Sequence, residues 1–445
     1  MHMTKRKRYL FLIDDGWRQE KLDLLRYLNG KVDFDIATYD QATFDTLKDD
    51  FKVIKLEIFK TSRRFLYYFK KLFAHELPTN NTRYKRRIRL HTAPLPQRIF
   101  CAVHYIASLL SSPNYRYSDA LEFLFRTSDK YGVILKDYDV LIFSPVHTFD
   151  KRIIYEAKNR GLDIVCWVYS WDNPMKDNEF MPNADRYFVW NEPCVESLCR
   201  LHSVPRDRVD IVGPVQFDFL LGKKNADKKA APAKDLAMEK NDRYVLYACA
   251  TALRAHISQE VNTVIYVRRI IDEIDPDVRL LVRPYPYRYP GTDDAYEDLA
   301  NYENIELLQF GQAKREMVVM SKQDLLDRQS QIQGAECLIN FGSTIGLEAS
   351  FTDTPIIQFG FNFPNEYAAC LDLGEVLKNE HLQLVIDPDF PNTVQSETEL
   401  KKVLADILNG QGEPYRAYSK KLQHFAHPLD VHYYREVFLK VLRSV

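Results

Sequence analysis

Three short groups of residues in this sequence have the types and spacing to hold a phosphorylated ligand. Arg254 stands three residues beyond Thr251, and Arg283 opens the run Arg283-Pro284-Tyr285-Pro286. Each arginine follows an apolar run of strand length, residues 244–248 and 279–282. A guanidinium presents a planar fork of donors, so two of them converging on one site would neutralise a diphosphate. The third group is Phe341-Gly342-Ser343-Thr344, which follows the apolar run 337–340. Gly342 allows a sharp turn, the two hydroxyls add donors, and a helix beginning there has free N–H groups at its positive end. Glu348 lies one helical turn beyond Thr344 on the same face and is a fitting acceptor for ribose hydroxyls. Taken alone, Ser343-Thr344 reads as an ordinary N-cap; the arginines beyond neighbouring strand-like runs favour the phosphate reading.

Elements in a fixed order must position these groups. Short apolar runs at 9–13, 34–37, 53–58, 140–143, 164–169, 186–190 and 209–212 alternate with helical patterns such as 19–28, 100–110, 151–160 and 193–202. A second series at 244–248, 279–282, 305–308, 337–340, 356–359 and 382–386 alternates with helices at 259–274, 345–351 and 396–408. Strands spaced by helices predict parallel sheets, whose ligands sit outside the carboxyl ends of the strands. The stretch 221–242 is rich in Lys, Ala and Asp and poor in large apolar residues, which reads as a linker. The predicted class is α/β: two doubly wound Rossmann-like domains facing each other across a cleft. Their expected bounds are 1–220 and 242–425, with a linker at 221–241 and a terminal helix at 426–445 returning to the first domain.

Composition removes several alternatives. Only 15 glycines in 445 residues exclude collagen-like chains, and 46% hydrophobic with 28% charged residues excludes a disordered chain. A formal net charge of −1 excludes a polyelectrolyte binder as a whole. Seven scattered cysteines without a Cys-x-x-Cys, and a first apolar run too short for a signal sequence, give a cytoplasmic expectation with reduced thiols. Cys194, Cys199 and His202 lack the spacing of a four-ligand zinc site. Asp137-Tyr138-Asp139 precedes its strand and reads as a turn, His75-Glu76 has no second histidine, and Ser343 is not the central residue of a nucleophile elbow. No metal or other cofactor is implied.

Taken in order, Thr251-x-x-Arg254, the Arg283-Pro284 loop and the run from Ser343 to Ala349 resemble the donor half of GT-B glycosyltransferases of bacterial cell-surface polysaccharide assembly. In the first half, residues 169–177 and 185–196 lead into Val212-Gly213-Pro214, which resembles the passage into the interdomain linker of that superfamily. The resemblance implies transfer of a sugar from a nucleotide donor, UDP-activated in preference to CMP-, CDP-, GDP- or dTDP-activated, to a hydroxyl of a glycan or lipid-linked glycan. It makes Thr251, Arg254, Arg283, Gly342, Ser343, Thr344 and Glu348 donor-site residues and brings Phe310-Gly311 toward the nucleobase. One retaining subgroup has two glutamates eight apart. Here Asn340 and Ile356 stand eight before and eight after Glu348, which favours inversion.

Inversion needs a base within ~3 Å of the acceptor hydroxyl. Asp14, Asp15, His147 and Asp172 all follow strand-like runs in the first half, with Asp172 and Asp15 ranked above His147; capping is the plainer role for each. The stretch from Lys60 to Leu90 carries ten Lys and Arg against the single acid Glu76, with aromatics interleaved. It reads equally as a solvated insertion or as a segment resting on an anionic membrane, which a lipid-linked acceptor would give a purpose. Nucleic acid is the less favoured partner. The rival readings are a sugar-nucleotide epimerase or a CDP-polyol phosphotransferase of the same fold, and a nucleic-acid-binding or scaffold protein.

Overall fold

The computed structural model describes residues 6–14, 18–57, 72, 76–110, 129–145, 152–176, 180–221, 242–249, 254–285, 296, 298–308, 312–314, 317–319, 321–361 and 373–445. The chain divides into two compact units, Met1–Asp218 with Pro428–Val445, and Phe219–His427.

The first unit is built on β1 (Arg8–Leu12), β2 (Asp33–Thr38), β3 (Val53–Lys55), β4 (Val140–Phe143), β5 (Asp163–Trp167), β6 (Arg186–Val189) and β7 (Val209–Ile211). They form one parallel sheet in the order β3-β2-β1-β4-β5-β6-β7. The central strands read as unbroken apolar runs because helices cover both faces: Leu10, Phe11 and Leu12 of β1 and all of β4 are buried. The second unit contains β8 (Tyr244–Ala248), β9 (Arg279–Arg283), β10 (Ile305–Leu307), the hairpin β11 (Gln312–Lys314) and β12 (Met317–Val319), then β13 (Cys337–Asn340), β14 (Ile356–Phe359) and β15 (Thr393–Val394). Its six-stranded parallel sheet runs β10-β9-β8-β13-β14-β15. Both sheets are therefore doubly wound, with the chain reversing direction beside β1 and beside β8.

One expected strand is absent. Residues 382–386 form a 3-10 turn, Leu382–Leu384, and the edge strand is β15. Leu382, Val385 and Ile386 are the buried members of this run, and their spacing of three then one is that of a helical turn.

The C-terminal helix Tyr434–Leu442 crosses back to the first unit. Phe438 is fully buried between Trp167 of β5 and Phe188 of β6, with ring centroids 5.2 and 5.3 Å away. Asp218 accepts from the amides of Tyr434 and Arg435 at 2.6 and 3.0 Å, so a distant carboxylate caps the helix. Gly213 has φ +78°, and a Cβ there would overlap the ring of buried Tyr434, so only glycine suits this turn. Among the described residues no helix is long and apolar enough to cross a membrane.

Candidate functional site

In the second sheet the switch point lies between the carboxyl ends of β8 and β13, where a doubly wound sheet leaves a crevice. β13 ends in Asn340, which is wholly buried. Its Oδ1 accepts from the amides of Gly342 at 2.8 Å and Ser343 at 3.4 Å, folding the chain into a tight turn. Gln358 Oε1, from the adjacent strand, also accepts from Gly342 N at 2.8 Å. Gly342 has φ +65°, and a Cβ on it would come within 2.9 Å of Leu382 and Ile386. The turn is thus fixed by two buried amides and by a glycine that no larger residue replaces.

The helix that follows, Thr344–Ala349, has only six residues, so its dipole adds little. Two amides expected to face a phosphate, those of Gly342 and Ser343, point instead at Asn340 and Gln358. Side-chain atoms are left over as well. Ser343 occupies the N-cap without making a side-chain cap bond, and its buried Oγ, like Asn340 Nδ2, has no partner. A buried hydroxyl left unpaired costs about 1–3 kcal/mol, which a ligand would recover.

Arg283 closes β9, the strand on the other side of β8, and is 5% exposed. It donates through one terminal nitrogen to Gln331 Oε1 at 3.0 Å. Burial, and then the like charge of Arg328, push its guanidinium down to about 9, while Glu348 pushes back; it remains a cation at neutral pH. Arg328 pairs through Nε with Glu348 Oε2 at 2.7 Å, both side chains being nearly buried. Arg328 and Gln331 lie one turn apart on the helix Lys322–Gly334, which starts in a capping box of Ser321 and Asp324. Arg283 is thus a buried guanidinium in the field of Arg328 on one side and of the Glu348, Asp324 and Asp327 carboxylates on the other.

Beyond β8, Tyr296 Oη donates to Glu260 Oε2 at 3.0 Å beside Cys249, all three residues being buried. Burial raises both the phenol and the thiol, so this corner holds protonated groups. Arg254 begins the long helix Arg254–Ile274, its side chain outside the described residues. Thr251, Phe310 and Gly311 lie outside them as well.

Sequence reasoning missed Arg328, Gln331, Asn340 and Gln358. Arg328 sits in the polar run Asp327–Gln331, which adjoins no strand-like run. The available signal was that Leu325, Gln329 and Ile332 return at helical spacing, so part of that helix faces inward.

In the first unit Asp15 and His147 lie outside the described residues. Asp14 is buried, and its Oδ1 accepts from Thr38 Oγ1 at 3.0 Å and Tyr39 N at 2.7 Å, a latch between the loops after β1 and β2. Asp172 follows β5 just ahead of the short helix Asn173–Lys176, and its Oδ2 pairs with Lys176 Nζ at 2.8 Å. His202 accepts at Nδ1 from Met181 N at 2.9 Å and reaches the Pro174 carbonyl from Nε2 at 2.7 Å, which makes it a core imidazole. Burial drives the nearby Cys194 thiol up to about 12. Among the described residues no three His, Cys, Asp or Glu are grouped to hold a metal ion.

Solved structures share this two-sheet arrangement across almost the whole chain. The UDP-GlcNAc 2-epimerase from Neisseria meningitidis bound to UDP-GlcNAc matches with TM-score 0.54 and 12% identity, over 98% of this chain and 100% of that one. A putative UDP-N-acetylglucosamine 2-epimerase from Listeria monocytogenes gives 0.53 and 10%, over 99% and 96%. The fold is GT-B. MnaA from S. aureus, solved with UDP, matches with TM-score 0.52 and 11% identity over 98% of this chain and 96% of that one. No protein-family model matches the sequence, and no curated protein matches it.

Proposed function

We propose that this GT-B chain is a metal-independent enzyme that takes a nucleotide-activated sugar, UDP-linked in preference to other bases, and transfers the sugar with inversion to a hydroxyl of a glycan. The observation that carries the reading is the buried Arg283 beside the Arg328–Glu348 ion pair at the carboxyl edge of the second sheet. The diphosphate would lie against these guanidiniums and the unpartnered Ser343 Oγ, with Thr251, Arg254, Gly342 and Thr344 lining the turns around it. Glu348 would accept from ribose while holding Arg328, and Phe310-Gly311 would border the base. In the reaction the acceptor oxygen bonds to the anomeric carbon and the bond from that carbon to the phosphate oxygen breaks. The electron pair leaves on the nucleoside diphosphate, where two preorganised cations stabilise it. The acceptor proton passes to a carboxylate or imidazole of the first unit, with Asp172 and Asp15 ahead of His147.

A second reading is supported by the fold matches: three solved structures of this architecture are named as UDP-GlcNAc 2-epimerases or hold UDP. The same diphosphate site would serve an epimerase, which needs no acceptor. The two separate on one experiment. Thermal shifts with UDP, CDP, CMP, GDP and dTDP, with and without Mg²⁺, select the base; a ligand at about 100 times its Kd adds ~2.7 kcal/mol. The matching UDP-sugar is then followed by NMR without acceptor. Conversion to the C2 epimer establishes the epimerase; an unchanged sugar nucleotide that yields UDP only when a glycan is added establishes the transferase. No shift with any nucleotide overturns both.

A further inference from the structure

Eight of the ten large hydrophobic side chains exposed among the described residues lie on one helix, Leu95–Leu110. The sequence pattern reads 100–110 of this segment as one of the crossover helices between strand-like runs. Leu95, Ile99, Val103, Ile106 and Leu110 are 65, 55, 45, 58 and 82% exposed. Steps of four, four, three and four put them on one stripe. A contiguous apolar stripe of this kind on a folded domain marks a contact surface.

The helix Asn80–Thr92 packs beside it and supplies charge. Arg86 joins the two, pairing with Glu76 at 2.6 Å and lying 3.9 Å over the Tyr105 ring. Arg83, Arg87, Arg89 and Arg98 face solvent. From residue 77 to 110 there are six Lys and Arg and no Asp or Glu, in a chain whose net charge is −1.

This pairing of chemistries selects the occupant. A second copy docking isologously would set two identical basic helices against each other. An anionic bilayer offers an apolar phase to the stripe and phosphates to the arginines. With 16 residues the helix is about 24 Å long, short of the ~30 Å hydrocarbon core, so it suits lying in the interface. We infer that the helix pair Asn80–Thr92 and Leu95–Leu110 docks this protein on an anionic lipid surface. The pair is fastened to the first unit beside the candidate base: Asn81 Nδ2 and Lys85 Nζ both donate to the carbonyl of Lys176, the residue whose ammonium holds Asp172. Docking therefore brings the carboxyl end of β5 to the membrane. Resting on the transferase reading, this deepens it by naming a lipid-linked hydroxyl as the acceptor class.

The test is co-sedimentation of the full chain with vesicles of phosphatidylcholine, alone or with about one-third phosphatidylglycerol. The parent is expected to bind the anionic vesicles at least about tenfold more tightly than the neutral ones. Ile99→Asp with Val103→Asp and Ile106→Asp should lose about tenfold or more on both, and Ile99→Asp alone should fall between. Arg83→Ser with Arg87→Ser and Arg89→Ser should drop to the neutral-vesicle level and lose the salt dependence. All these side chains are exposed, so melting curves should overlay the parent. Equal binding to both vesicles, or unchanged binding by the triple aspartate variant, overturns the inference. So does a dimer in light scattering that the aspartates dissociate while vesicles stay unbound, since a second copy then covers the face. Vesicle binding needs no nucleotide, so failure here leaves the transferase reading intact, and absent turnover with intact binding removes that reading alone.

Discussion

Beyond β1 and β5 of the first sheet, carboxylates are turned onto their own surroundings: Asp14 latches Thr38 and Tyr39, and Asp172 holds Lys176. Beyond β9 and β13 of the second sheet, the strand end and the adjoining helix gather guanidiniums: Arg283 is buried in the field of Arg328, which pairs with Glu348. The strand orders are equivalent, three strands on one side of the switch point and the remainder on the other. What differs is the residue type at each strand end and how far it is desolvated. The same scaffold therefore presents carboxylates at the strand ends of one unit and guanidiniums at those of the other, and topology fixes where such residues sit without fixing which they are.

The comparison is broken most directly at Asp172. If the first edge supplies the base, Asp172→Asn should lower turnover by about 10²–10⁴-fold while nucleotide binding stays as in the parent. Retained turnover would pass the role to Asp15 or His147. Next in size is Glu348→Gln, which leaves Arg328 without its charge partner in a nearly buried site. Breaking such a pair costs about 3 kcal/mol, so the melting temperature should fall, and saturating nucleotide should restore part of the loss. Chemical denaturation with and without ligand measures both.

Arg283→Met should change stability less. It removes a buried cation that repels Arg328 but leaves the buried Gln331 Oε1 without its donor, so the two effects oppose each other. Titration calorimetry should nevertheless show nucleotide bound about 10–100-fold more weakly. Unchanged affinity would remove the anion-holding role from the second edge.

The smallest effect belongs to the first unit. Burial raises the Asp218 carboxyl to about 6, against 3.8 for an ordinary aspartate, and the amides of Tyr434 and Arg435 only partly offset it. Between those values the folded chain binds more protons than the unfolded one, so this group adds stability as pH falls from 7 toward 4 and withdraws it as pH rises through 6. Subtracting the pH–stability curve of Asp218→Asn from that of the parent should expose the slope; parallel curves would show that the carboxyl titrates normally.

Much of the scaffold was legible in the sequence. The apolar runs at 9–13, 140–143, 244–248 and 337–340 became central strands because residues buried on both faces must be apolar without a break. Arg283 and Gly342 could be singled out because each directly adjoins such a run. Residues 382–386 misled because five apolar-rich residues satisfy a strand or a helical turn equally, and which of them become buried is set by the tertiary packing. The helix Leu95–Leu110 differs: its pattern at 100–110 is legible as a helix, and sequence spacing does not say whether its apolar stripe is covered.

By itself the sequence determined the alternation of strands and helices, the two series, and the arginine, glycine and hydroxyl residues at strand ends, because these follow from periodicity over a few residues. Only the tertiary structure decided that Gln331 accepts from Arg283 while Arg328 pairs with Glu348, that Asn340 and Gln358 take the amides of the Gly342 turn, and that Asp14 forms a latch. Each of those outcomes depends on which distant segments become neighbours. Burial then sets whether a charged or polar group is merely placed or is held ready for a ligand.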